Sequence, residues 1–143
     1  TAWMLNTMRY WINLIALVSH PRILKKYLKW RLRISAIQPK NDSLNLLRVD
    51  VEARDSTPRD ASQDLSACYG SHFTLRAEAE LIGHDFLRVL QHASSITTDR
   101  LHVGIGASLL GKRTRIHDNS YGKNKAIWEL SMKHRFKNSQ FIE

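Results

Sequence analysis

The sequence predicts an α/β domain with an open, mostly parallel sheet and flanking helices, preceded by a basic helical arm. Three observations lead there. From residue 44 onward, short apolar or alternating runs take turns with stretches of helical period, the pattern of β-α-β units. The segment Gln38-Pro39-Lys40-Asn41-Asp42-Ser43 has linker composition. Charge divides at the same place: residues 1–41 hold eight Lys or Arg and no acid, whereas the rest hold fourteen basic residues and all thirteen acids. A basic arm with linker (1–43) and a near-neutral body (44–143) are therefore expected, rather than a uniformly basic nucleic-acid binder. No nucleic-acid partner is expected.

Residues 2–18 are apolar but interrupted by Asn6, Arg9 and Asn13. A spanning helix needs roughly 20 predominantly apolar residues, so this run is too short and too polar. Nor is it a secretory signal, since Arg9 lies inside the run and the basic cluster follows it. Ser19-His20-Pro21 breaks the run, with Pro21 suited to the first turn of a second helix. In that helix Leu24, Leu28 and Leu32 form a stripe flanked by Ile23 and Tyr27, and Arg22, Lys25, Lys26, Lys29 and Arg33 cover much of the remainder. Three readings stand. The helix packs on its own domain with a solvated basic face. It lies on anionic lipid headgroups through residues 1–34, with Tyr27 and Trp30 near the interface. Or it meets nucleic acid.

In the body, 44–51 reads as a strand and the polar stretch 52–71 as a long loop or a loop with one short helix. Leu75, Ala79, Ile82, Phe86, Val89 and Leu90 recur at helical spacing, with His84, Asp85 and Arg88 expected on the opposite face. A strand over 94–98, a helix over 102–110 stopped by Gly111, and a strand over 113–118 follow. After the turn 119–122 comes a helix over 123–133 with Ile127 and Leu130 inward, and Phe141-Ile142 begins a last strand. Gly104 and Gly106 sit inside an apolar helix without a phosphate loop, so close packing of that helix on the sheet is their expected role.

Ligands of open parallel sheets bind beyond the carboxyl ends of the strands. That rule selects two loops, 98–102 and 118–123. The residues there resemble a known family. Ile-Thr-Thr-Asp-Arg-Leu-His (96–102), Leu-Leu-Gly-Lys (109–112) and Asp-Asn-Ser-Tyr-Gly-Lys-Asn-Lys (118–125), with Leu-Leu-Arg-Val-Asp-Val-Glu (46–52) ahead of them, resemble the C-terminal half of the polysaccharide pyruvyl transferases. The resemblance covers residues 44–143. It implies a Rossmann-like unit, one half of a GT-B-like fold in which two such halves face a cleft. It also implies transfer of the enolpyruvyl group of phosphoenolpyruvate to a sugar hydroxyl pair of a surface or exopolysaccharide, as a pyruvyl ketal. Phosphoenolpyruvate is then the donor, with no further cofactor, and a glycan or lipid-linked oligosaccharide the acceptor. Arg100 and His102 are the implied donor-engaging pair, at work in the cytoplasm or at the inner face of the cell membrane. Residues 1–43 are too few to form the N-terminal half, which another segment or subunit would supply.

The chemistry suits these residue types. A guanidinium grips phosphate or carboxylate in a planar fork, and an imidazole carries protons near neutral pH. Otherwise Arg100 pairs with Asp99 or a helix end and His102 is a helix-cap residue. In the second loop Asn119, Ser120, Tyr121 and Lys123 are candidates to bind substrate, Lys123 as a point charge on phosphate and Tyr121 stacked on a sugar. Equally, they form an ordinary turn with Asn119 or Ser120 as N-cap. Asp50 and Glu52 read as a solvated strand end.

Other chemistries find no pattern. The lone Cys68 excludes an internal disulfide and a multi-cysteine zinc site, and the seven histidines show no H-E-x-x-H, so no metal site is expected. No G-x-G-x-x-G, P-loop or G-x-S-x-G occurs. Two readings from other classes stand beside the enzyme: a non-catalytic anion-binding half, and a membrane-surface adaptor working through its N-terminal helices.

Overall fold

A computed structural model describes residues 2–48, 64–65 and 74–142, with side chains from residue 7 onward. Helices α1 (Ala2–Val18) and α2 (Pro21–Ser35) precede strand β1 (Ser43–Leu46). Then α3 (Arg76–Gln91), β2 (Ser95–Thr98), α4 (Leu101–Leu109), β3 (Arg113–His117) and α5 (Lys123–Ile127) alternate. A π-helical turn (Trp128–Met132) runs into the short α6 (Lys133–Arg135), and β4 (Ser139–Ile142) closes the order. The strands form one four-stranded sheet in the order β1-β2-β3-β4, every neighbouring pair parallel. The α/β class, the parallel sheet and the flanking helices agree with the sequence reading, and the arrangement is Rossmann-like.

Each step from strand to strand moves in the same direction, and parallel crossovers are right-handed. All connections must then fall on one side of the sheet. Leu44, Leu46, Ile96 and Ile116 are buried on that side. Leu44, Leu46 and Ile96 share a core with Leu81, Ile82, Leu90, Val103 and Ala107, while Ile116 packs with Trp128 and Met132. Asn45, Arg113, Arg115 and Gln140 occupy the other side, exposed, and the last three bound a polar trough of about 470 Å³.

Helix α4 sits close because of its glycines. A Cβ on Gly104 would lie 3.0 Å from Ile116 Cδ1, and one on Gly106 would lie 3.2 Å from Leu90 Cδ1. Gly104 thus brings the helix onto the sheet, as expected, and Gly106 brings it onto α3. The stop at Gly111 (φ +70°) is a Schellman turn, with the Lys112 N–H donating to Ala107 O and the Gly111 N–H to Ser108 O, each at 3.0 Å.

The arm is not a separate packing unit. Leu17, Tyr27, Trp30, Ile34 and Ile37 belong to the core that contains β1 and β2, so the charge boundary is not a packing boundary. Pro21 opens α2 as expected. The leucine stripe faces inward only at its start, however: Leu24 packs half-buried against the core, Leu28 and Leu32 are exposed, and the buried side holds Tyr27, Trp30 and Ile34. Tyr27 and Trp30 are therefore unavailable to a lipid interface. Larger rings bury more area, and the Tyr27 hydroxyl donates to Asp85 Oδ2 (2.8 Å) and shares a hydrogen bond with Tyr10 Oη (2.9 Å). This network also corrects the placement of Asp85, which is buried rather than on the outer face of α3.

Two further expectations shift. Strand β1 ends at Leu46, short of the anticipated 44–51, of which 49–51 lie outside the described residues, as does most of 52–71. The helix over 123–133 contains the π turn. Its wider winding moves Trp128 and Met132 inward and leaves Leu130 80% exposed; Ile127 is half-buried.

Candidate functional site

The carboxyl ends of β1, β2 and β3 open onto one pocket of about 220 Å³. Arg48 follows β1, Arg100 is the N-cap of α4, and His102 lies in the first turn of α4. Asn119 and Tyr121 come from the loop between β3 and α5, Lys123 is the first residue of α5, and all six residues line the pocket. Five of the six residues selected from sequence thus converge: Arg100, His102, Asn119, Tyr121 and Lys123. Ser120 is exposed on the same turn but outside the pocket lining.

The floor is a hydrogen-bonded frame. Asp99 Oδ1 accepts from the Arg48 N–H at 2.8 Å, tying the end of β1 to the end of β2. The Asn124 amide donates to Asp99 O (2.5 Å) and His117 O (2.9 Å), tying β2 to β3. Thr98 Oγ1 donates to Leu46 O (2.7 Å) and accepts from the Arg100 N–H (3.0 Å). Asp118 Oδ1 accepts from the N–H groups of Asn119 (3.0 Å) and Lys125 (3.1 Å). Asn119 Oδ1 accepts from the Lys123 N–H at 2.8 Å, so Asn119 secures the start of α5. The N-cap position itself is held by Gly122 (φ +79°), not by Asn119 or Ser120, and Asn119 borders the pocket as well.

The Arg100 guanidinium pairs with Asp64, and both side chains are mostly buried. An arginine presents five N–H donors, and an ion pair on one edge fixes the plane of the others. Behind it, Asp99 is 1% exposed and its Oδ2 has no hydrogen-bond partner among the described residues. Burial pushes its carboxyl above the ordinary range, against the backbone hydrogen bonds and the arginines that lower it. His102 and Lys123 are exposed at the mouth. Three cationic side chains and an imidazole on 220 Å³ make a pocket suited to a small anion.

Sequence reasoning passed over Arg48, Asn124 and Asp64. Arg48 was reachable, because the strand-end rule applies to β1 as well as to β2 and β3. Asn124 lies inside the quoted 118–125 motif, but nothing in its identity announces a bridge between two strand ends. Asp64 stands in a polar stretch without periodicity. Among the described residues, no group of three His, Cys, Asp or Glu side chains is placed to hold a metal ion.

Fold and pocket together define the class: a parallel α/β unit with an anion-suited pocket at its strand ends. No family model matches the chain, and no curated protein matches it. A solved structure is similar, that of a functionally uncharacterized protein from Klebsiella pneumoniae. It is 30% identical with a TM-score of 0.61, over 71% of this chain and 36% of that one. The chain thus spans about a third of the length of that protein.

Proposed function

We propose that the pocket binds phosphoenolpyruvate and that the domain is the donor-binding half of a polysaccharide pyruvyl transferase, one half of a GT-B-like cleft. The observation that carries this reading is the convergence of Arg48, Arg100, His102 and Lys123 on one pocket at the ends of three parallel strands. The two motifs that resemble the family, 96–102 and 118–125, border it from either side. Phosphoenolpyruvate has two anionic groups, and the pocket offers arginine forks and an ammonium for them.

In the proposed reaction the methylene carbon of phosphoenolpyruvate gains a proton and becomes a methyl group. Two sugar hydroxyl oxygens bond to the adjacent carbon, the bond to the phosphate oxygen breaks, and inorganic phosphate leaves. One hydroxyl proton balances the methyl group and the other leaves with phosphate. His102, at the mouth, is assigned to proton transfer; Arg100, oriented by Asp64, holds the anion together with Arg48 and Lys123. The acceptor, a glycan or lipid-linked oligosaccharide on the cytoplasmic side, would be held largely by a second half. The similar structure is long enough to contain one.

Calorimetry or ligand-observed NMR with phosphoenolpyruvate tests the reading. Arg100→Ala should weaken binding tenfold or more, from the loss of about 1.5–3 kcal/mol in a charge-assisted pair. Arg100→Lys should recover only part of it, and His102→Ala should leave most of it in place. Equal affinity in the wild type and Arg100→Ala, or no affinity in the wild type, removes the proposal.

A further inference from the structure

We propose that the outer surface of the α1–α2 pair is a docking face for a lipid bilayer with anionic headgroups. The proposal is independent of the activity assigned to the pocket. Helix α1 turns Tyr10, Asn13, Leu14 and Leu17 toward the protein. On its far side stand Met8 (58% exposed), Trp11 (56%), Ile12 (56%), Ile15 (68%) and Val18 (64%). A surface helix normally shows water its polar side; this one shows a continuous apolar row.

Helix α2 adds charge to that row. Its exposed side carries Leu28 and Leu32 beside Arg22, Lys25, Lys29 and Arg33, whose steps of three, four and four align them along the helix. Both helices pack on α3; Lys25, Leu28 and Leu32 are exposed on α2, and Lys29 and Arg33, also exposed, border a groove that Glu78 and Ile82 of α3 line from the other side.

Among the described residues, no acid forms an ion pair with Arg22, Lys25, Lys29 or Arg33. Residues 1–41 contain no acid. Of the α3 acids that reach the arm, Glu78 is buried with Lys26 Nζ 3.0 Å from its Oε1. Glu80 is taken by Arg9, Asn13 and Arg76, and Asp85 by Tyr27. Among the described residues the surface is therefore apolar and cationic with its neighbouring acids buried or paired, and a bilayer with anionic headgroups complements both properties at once. No described helix is long and apolar enough to cross a membrane, so α1 would lie in the interfacial plane.

Flotation of the 143-residue chain with vesicles of phosphatidylglycerol and phosphatidylcholine, against phosphatidylcholine alone, tests the assignment. The chain should float with the anionic vesicles and be released by salt. Lys25→Gln with Lys29→Gln should weaken partitioning about 25-fold, at about fivefold per cation near the surface. Ile12→Ser with Ile15→Ser should weaken it as well, with helix content unchanged by circular dichroism, because both side chains are already exposed. Equal binding to neutral vesicles, no binding to either, or indifference to both double variants overturns the proposal. So does a concentration-dependent dimer, abolished by the serine pair, in a chain that ignores vesicles; the face would then belong to a second copy.

Discussion

Asn124 illustrates how much one side chain can hold at the pocket. It is 2% exposed, and its amide nitrogen donates to carbonyls at the ends of two neighbouring strands. Asp99 O follows the last residue of β2 and His117 O closes β3, and the amide donates to both of them. Asn124→Asp keeps the shape and turns two donors into acceptors. One buried and one half-buried carbonyl would then face a carboxylate. Each unsatisfied group costs about 1–3 kcal/mol, so urea unfolding should show a loss of about 2–4 kcal/mol, along with weaker phosphoenolpyruvate binding. An unchanged unfolding midpoint would mean that the strand ends are held by other contacts.

At the scale of elements, α1 is tied to α3 by charge as well as by packing. Arg9 Nε and Nη2 donate to the two Glu80 carboxylate oxygens at 2.9 and 2.8 Å, and Asn13 donates to the same carboxylate at 2.8 Å. Hydrogen bonds from Arg9, Asn13 and Arg76, in that order, hold the Glu80 carboxyl down at about 2, from an ordinary 4.5. A depressed carboxyl contributes stability above its unfolded pKa and loses it as pH falls toward the folded one. The tether should therefore weaken between about pH 4.5 and pH 2. Hydrogen-exchange protection in α1, relative to α3, should fall across that window, and Glu80→Gln should flatten the dependence. Constant relative protection would show that packing alone holds α1. None of this was legible in the sequence, where Arg9 and Glu80 are 71 positions apart. Periodicity located α3 because it has one apolar face, and α4, apolar nearly all round, was bounded by its stop at Gly111. Periodicity misassigned α2 because that helix has two apolar faces: Leu24, Leu28 and Leu32 on one side, Tyr27, Trp30 and Ile34 on another. Spacing cannot rank them, whereas the Tyr27–Asp85 hydrogen bond and the aromatic area can. Leu130 was misplaced for a related reason, since a π turn breaks the period on which the inference rested. The pocket was more legible than the helices, because strand ends and loop positions follow from topology without any choice of face.

At the scale of the whole molecule, the sheet is unusual in being covered on one side only by the described residues. Parallel sheets are ordinarily buried on both faces, and their strands then read as continuous apolar runs. Here the strands alternate: Ser-Leu-Asn-Leu in β1 and Arg-Thr-Arg-Ile-His in β3 place polar residues at every second position. The alternation matches the topology, because four strands wound in one direction send every right-handed crossover to the same side. The two faces should then differ sharply in what they contribute. Ile116 is fully buried beneath α4 and packs with Trp128 and Met132; Ile116→Ala should cost about 2–5 kcal/mol. Arg115, its neighbour on the same strand, points into the open trough. Arg115→Ser should fall within about 0.5 kcal/mol of the wild type. Urea unfolding of the two variants decides between a one-sided and a two-sided sheet. A loss at Arg115 comparable to that at Ile116 would mean that the polar face is packed against something in the folded chain, and the alternation would then have to be read as a buried polar interface rather than a wet one.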